Sequence, residues 1–159
     1  MTNRFLHKIF IALVFCGLST GAFAQKPSDF EAKAQEGNAE AQYKLGHCYD
    51  YGEGVKSNYP TALHWYEKAA NQGHADVIAE LGSFYYNGYV VERNFEKAIS
   101  LFREAEQKGS NHAKYWLGLC YGAGNGVNQD TVSAYLWFQK AADSGHAAAQ
   151  NMVGMYCLG

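Results

Sequence analysis

Apolar positions along this chain fall into two helical registers that alternate. Over 39–51, Ala41, Leu45, Cys48 and Tyr49 recur at helical spacing and predict one buried stripe. Gly52 and Gly54 follow, and glycine ends a helix well because it reaches the left-handed conformation without a Cβ clash. A second stripe then opens: Ala62, Trp65, Tyr66 and Ala69. Asn58 stands where an N-cap belongs, and Pro60 falls in the first turn, where its missing N–H is harmless. Gly73 closes this second helix.

The same helix pair is written again. Blocks start at Gly37, Gly73, Gly109 and Gly145, a period of 36 residues without insertion. A fixed period in this range predicts stacked helix pairs. The N-caps recur as Asn94 and Asp130, and the second stripe as Ala98, Leu101, Phe102, Ala105 and as Ala134, Trp137, Phe138, Ala141. Gly88, Gly124 and Gly126 repeat the turn, with Val90 in place of one glycine. Gly46, Gly82, Gly118 and Gly154 fall inside the first helix of each block. Each costs about 1 kcal/mol relative to alanine. Such a cost needs an offset, and the expected one is close approach of an aromatic from the second helix.

The motif L-G-x-x-Y-x-x-G-x-G-V, followed by A-x-x-W-[YF]-x-K-A-A-x-x-G, resembles the Sel1-like repeat, a relative of the tetratricopeptide repeat. Leu45, Gly46, Tyr49, Gly52, Gly54, Val55, Ala62, Trp65, Tyr66, Lys68, Ala69, Ala70 and Gly73 carry it in the first block. The third block matches nearly as well, and the second departs at Val90, Leu101, Glu104 and Glu106. The resemblance implies an all-α, right-handed superhelical solenoid of helix-turn-helix repeats that acts as an adaptor. The expected units are repeats over 37–72, 73–108 and 109–144 and a partial repeat over 145–159. Residues 25–36 are expected to copy a second helix alone, with a Ser28–Glu31 capping box, as an N-terminal cap. The final helix lacks a polar face and is expected either to end the chain or to belong to a longer array. An uncovered apolar helix is also a natural self-association surface.

Residues 1–24 read differently. Arg4 and Lys8 precede an apolar run over 9–18, shorter than the roughly 20 residues that span a bilayer. Ala22 and Ala24 supply the small residues of a cleavage site. This pattern predicts a signal peptide cut between Ala24 and Gln25, export to periplasm or medium, and no membrane insertion of the remainder. An uncleaved anchor is the alternative.

Composition adds exclusions. The net charge is −2, and loss of Arg4 and Lys8 makes it about −4. With no basic stripe, no nucleic-acid partner is expected. Cys48 and Cys120 hold one repeat position two blocks apart, beyond disulfide reach, and are expected as buried thiols. Cys157 lies near the equivalent helix one block on, which leaves a Cys120–Cys157 bridge as a remote alternative. A cysteine-rich subgroup of the family carries paired cysteines; its second-helix cysteine corresponds to Ala70 and Ala142. The cell-wall or β-lactam-related hydrolase activity proposed for that subgroup is therefore disfavoured. No H-E-x-x-H, C-x-x-C, G-x-S-x-G or phosphate-loop motif occurs, so no enzyme, metal or cofactor is expected. His74 and His146 follow block-start glycines, as helix-start caps or exposed residues.

Positions that differ between blocks point to binding. On the first helix they are Glu40, Lys44, His47 and Tyr51; then Asp76, Glu80, Ser83 and Asn87; then His112, Trp116, Leu119 and Ala123. Their spacing keeps each set on one helical face. Such a face is either idle solvent surface or a groove for a protein or peptide segment. In tetratricopeptide-like folds first helices line the concave side, which favours the groove. Trp116 beside Leu119 is the expected hot spot.

Overall fold

The computed structural model describes residues 26–156. The signal-peptide and Cys157 expectations lie outside these residues. A 3₁₀ turn at Pro27–Asp29 leads into α1 (Glu31–Gln35). Three helix pairs follow: α2 (Ala39–Tyr51) with α3 (Tyr59–Ala70), α4 (Ala75–Asn87) with α5 (Phe95–Gln107), and α6 (Asn111–Ala123) with α7 (Thr131–Asp143). The last helix is α8 (Ala147–Tyr156). All regular structure among the described residues is helical.

Local chemistry sets these boundaries. Asn58, Asn94 and Asp130 each cap a second helix by accepting backbone N–H groups. Gly52, Gly88 and Gly124 end the first helices in the left-handed conformation. The expected Ser28–Glu31 capping box does not form. Ser28 lies inside the 3₁₀ turn, and the carboxylate that takes a backbone N–H there is Asp29, from Lys26 at 3.0 Å.

The core is a series of layers between successive helices. Tyr66, Phe102 and Phe138 are fully buried, each flanked on its helix by alanines with no exposure. A Cβ at Gly46, Gly82 or Gly118 would lie 2.6, 2.5 or 2.6 Å from a ring carbon of Tyr66, Phe102 or Phe138. The expected aromatic offset therefore holds at three of the four glycines. Gly154 meets nothing within 4 Å, because no second helix follows α8 among the described residues.

Each helix packs on its neighbour in sequence, and the first helices α4 and α6 also touch directly. The second helices α3, α5 and α7 make no comparable contact with one another. Elements on the inside of a curve lie closer together, so α4 and α6 take the inner side, and α2 continues their row through the contacts of Glu40 with His74 and Gln42 with Gln72.

Candidate inner-face site

The inner face is built by α2, α4 and α6, and its side chains interact across repeat boundaries. At one end, Glu40 sits 3.3 Å from Lys44 and 3.1 Å from His74. The His74 hydrogen bond, opposed by burial and helped by Lys44, holds the Glu40 carboxyl below its ordinary range. His47 stacks on Tyr51 at 4.3 Å and lies 3.4 Å from Glu53, while Tyr51 is 60% exposed. At the centre, Glu80 is only 4% exposed. Its Oε1 accepts the Nδ1–H of His112 at 3.0 Å, and the Trp116 N–H reaches His112 Nε2 at 2.9 Å. Those two partners suit the neutral imidazole, one nitrogen donating and the other accepting. Burial opposes a charge on His112, but the hydrogen bond and charge of Glu80 outweigh it and raise its pKa.

The remaining expected positions divide. Asp76 accepts the Ser110 hydroxyl at 2.6 Å. Ser83 and Asn87 bond back to their own helix, through Glu80 O and Ser83 O. Trp116 is half-buried, its ring parallel to Phe102 at 5.4 Å and 5.2 Å from Tyr86. Leu119 packs with the layer around Phe138, away from Glu80, and Ala123 is exposed. The chain thus joins Glu80, His112 and Trp116 in one cluster and Glu40 with Lys44 in another.

Three residues outside the expected set complete the centre. Tyr66 OH donates to Asp50 at 3.2 Å, and the Tyr43 ring lies 6.2 Å from Tyr66 and 5.1 Å from His74. Burial, then the charge of Glu80, pushes the Asp50 carboxyl up to about 6. Burial likewise raises Tyr43 and Tyr66. The signal for these residues was present, since the positions of Tyr43 and Asp50 also differ between blocks. They flank Gly46 in the helical register, and their variability was masked by that helix-packing glycine.

A cleft of about 360 Å³ opens beside the cluster, lined by Tyr43, Asp76, His112 and His146 among others. A larger cleft of about 600 Å³ lies at the turn between α6 and α7, near Glu96 and Asp130. Among the described residues no group of His, Cys, Asp and Glu is placed to hold a metal ion. Nor is any helix there long and apolar enough to cross a membrane. Cys48 and Cys120 are buried thiols, and burial pushes Cys120 up to about 12.

The Sel1 repeat family model matches residues 39–74, 75–110 and 111–146. Among solved structures, the chain is similar to a Sel1 repeat protein from Oxalobacter formigenes, at 33% identity and TM-score 0.69. That match covers 80% of this chain and 51% of the other. It is also similar to c5321, described as a protective antigen of uropathogenic Escherichia coli with an SLR fold, at 35% identity and TM-score 0.68. This second match covers 79% of the chain and 27% of c5321, so the chain spans about half of one relative and about a quarter of the other. Cysteine rich protein B of Helicobacter pylori shares the fold at 23% identity and TM-score 0.60, with 80% of this chain and 97% of that one covered. No curated protein matches the chain. Three tandem family matches over most of the described residues, on a layered stack of helix pairs, place this chain in the Sel1 repeat family.

Proposed function

We propose that this protein is an exported scaffold that holds a peptide or protein segment against the inner face of its solenoid, in envelope assembly, signalling or host interaction. Sel1 repeat proteins are generally protein-interaction scaffolds, and the fold is typically non-enzymatic. The observation that carries the reading is the centre of the inner face. Structural positions repeat from block to block, whereas Asp50, Glu80 and His112 do not, yet Glu80 and His112 bond across repeats and Asp50 lies within reach of the Glu80 charge. The basic start, apolar run and small-residue site of residues 1–24 support export. The hydrolase alternative loses support from Ala70 and Ala142, where the cysteine-rich subgroup implies cysteines.

The test is site-specific photo-crosslinking in the native cell. A crosslinker at Lys44 or Tyr51 is expected to trap a partner, and one at Glu104 on the outer helix α5 is expected to trap none. Equal capture from both sides, or from α5 alone, sinks the groove. Mass analysis of the cell fractions checks export: an intact N-terminus in the cytoplasm removes that part.

A further inference from the structure

Asp50 and Glu80 lie within reach of each other's charge on the inner face, with imidazoles but no lysine or arginine beside them. Glu80 Oε1 takes its hydrogen bond from the His112 imidazole, and Asp50 takes one from a tyrosine hydroxyl. Among the described residues no lysine or arginine is within ion-pair distance of either carboxylate. Lys44, the basic residue of this face, is already engaged with Glu40 at 3.3 Å. His112 is a poor substitute for a fixed cation, because charging its Nε2 forfeits the hydrogen bond from Trp116. A carboxylate held away from water without a counter-charge is costly, and a second one nearby raises the cost. The surroundings suit a cation in another way. Tyr43 and Tyr51 lie within reach of the charges of Asp50 and Glu80, and ring faces attract ammonium and guanidinium groups.

We infer that the inner face receives an extended basic peptide segment, with a lysine or arginine side chain of the partner reaching Asp50 and Glu80 and its stem lying along Tyr43 and Tyr51. This rests on the inner face being the binding surface. Charge complementarity selects the occupant: Glu40, Asp50, Asp76 and Glu80 lie on the first helices with Lys44 as the fixed cation paired there and imidazoles beside the others. An acidic or neutral segment would strip the remaining water from Asp50 and return no counter-charge. A guanidinium, with its planar fork of donors, suits paired carboxylate oxygens better than an ammonium does.

Fluorescence anisotropy tests this with labelled decapeptides of repeated Gly-Ser-Arg, Gly-Ser-Gln and Gly-Ser-Glu and the purified protein. The key variant is Asp50→Asn with Glu80→Gln. Both amides retain an acceptor oxygen for Tyr66 and His112, so the fold is preserved, which circular dichroism checks. The expected result is an arginine preference over glutamine of about ten-fold or more. The double variant abolishes it, added salt shrinks it, and a Glu104→Gln, Glu106→Gln control on α5 leaves it intact. Equal binding of the arginine and glutamine peptides, no binding at all, or an arginine preference that survives in the double variant overturns the inference. A wild-type dimer in sedimentation that the double variant dissolves assigns the face to a second copy and also overturns it. Crosslinks from Lys44 or Tyr51 without any arginine preference leave the groove standing and remove only its charge selectivity.

Discussion

Val90 sits where two of the three complete repeats place glycine, and it adopts the same backbone. Its φ is 65°, beside 68° for Gly54 and 74° for Gly126. A β-branched residue pays about 1–2 kcal/mol in this left-handed region. The side chain is 54% exposed and returns little packing. Val90→Gly is therefore expected to stabilise the protein by about 1 kcal/mol, offset in part by unfolded-chain entropy, as read by urea denaturation. The helical glycines predict opposite signs for one substitution. At Gly82 an added methyl meets the buried Phe102 ring at 2.5 Å, so Gly82→Ala is expected to cost about 1–3 kcal/mol. At Gly154 the methyl meets nothing, so Gly154→Ala is expected to gain up to about 1 kcal/mol in helix propensity. Equal effects at the two sites would show that the aromatic contact is not why glycine recurs.

At the scale of elements, the second helices carry their own start signals, and the final helix depends on a titratable one. Ala149 N–H donates to His146 Nδ1 at 3.3 Å, so the imidazole caps α8. The ring stacks on Tyr115 at 4.7 Å and on His112 at 5.6 Å, and Asp76 of α4 lines the adjoining cleft. Burial, then the positive charge that His112 carries whenever it is protonated, holds the His146 pKa below 6.5. A depressed folded pKa means that the neutral ring is favoured in the docked state. That contribution is present above the unfolded value of 6.5 and is lost as pH falls through the lower folded value. Protonation also removes the cap acceptor and sets a positive charge at a helix N-terminus, which the helix dipole disfavours. Amide exchange over 147–153 should accelerate between about pH 7 and about pH 5, beyond the intrinsic rate change, while α4 keeps its protection. His146→Asn, a cap that does not titrate, should flatten this dependence. An unchanged profile in that variant would dismiss the switch.

Across the whole molecule, the two ends differ. At the N-terminal end, Lys26 and Lys33 occupy the positions held one period later by Ala62 and Ala69, which have no exposure. Both lysines are exposed. At the other end, α8 exposes Gly154 and 63% of Met155. Between them, the inner face concentrates acid, and this too has a stability signature. Asp50, raised from 3.8 to about 6 by burial and by Glu80, disfavours the folded state when ionised. Its folded form binds a proton more readily than its unfolded form. Its contribution is full below about pH 4 and disappears as pH rises through about 6. Asp50→Asn is then expected to stabilise the protein at pH 7 by about 1–2 kcal/mol, after allowance for partial solvent screening. The gain should fade by about pH 4, as thermal unfolding at both pH values would register. A loss of stability at pH 7 would contradict the buried-carboxylate account.

Much of the fold was legible before any coordinates. The caps at Asn58, Asn94 and Asp130 act on amides two or three residues away. The glycine–aromatic contacts join positions 20 residues apart in every complete repeat. Interactions that recur at a constant separation leave a periodic record in the chain, so hydrophobic spacing and glycine placement were enough to predict the stacked pairs. On the inner face only the rim left such a record, Glu40 with His74 and Asp76 with Ser110 being one contact repeated a block apart, and the buried centre left none. Glu80 with His112, Tyr66 with Asp50 and Trp116 with Phe102 each join unlike residues, and none recurs with the period. The same applies at Ser28, where the chain favoured a 3₁₀ turn over the capping box its spacing suggested. Burial of Glu80 and half-burial of Trp116 depend on how close successive first helices come on the inside of the curve. That distance is set by side-chain packing summed over all the layers, so only the tertiary structure decided which polar groups would share one site.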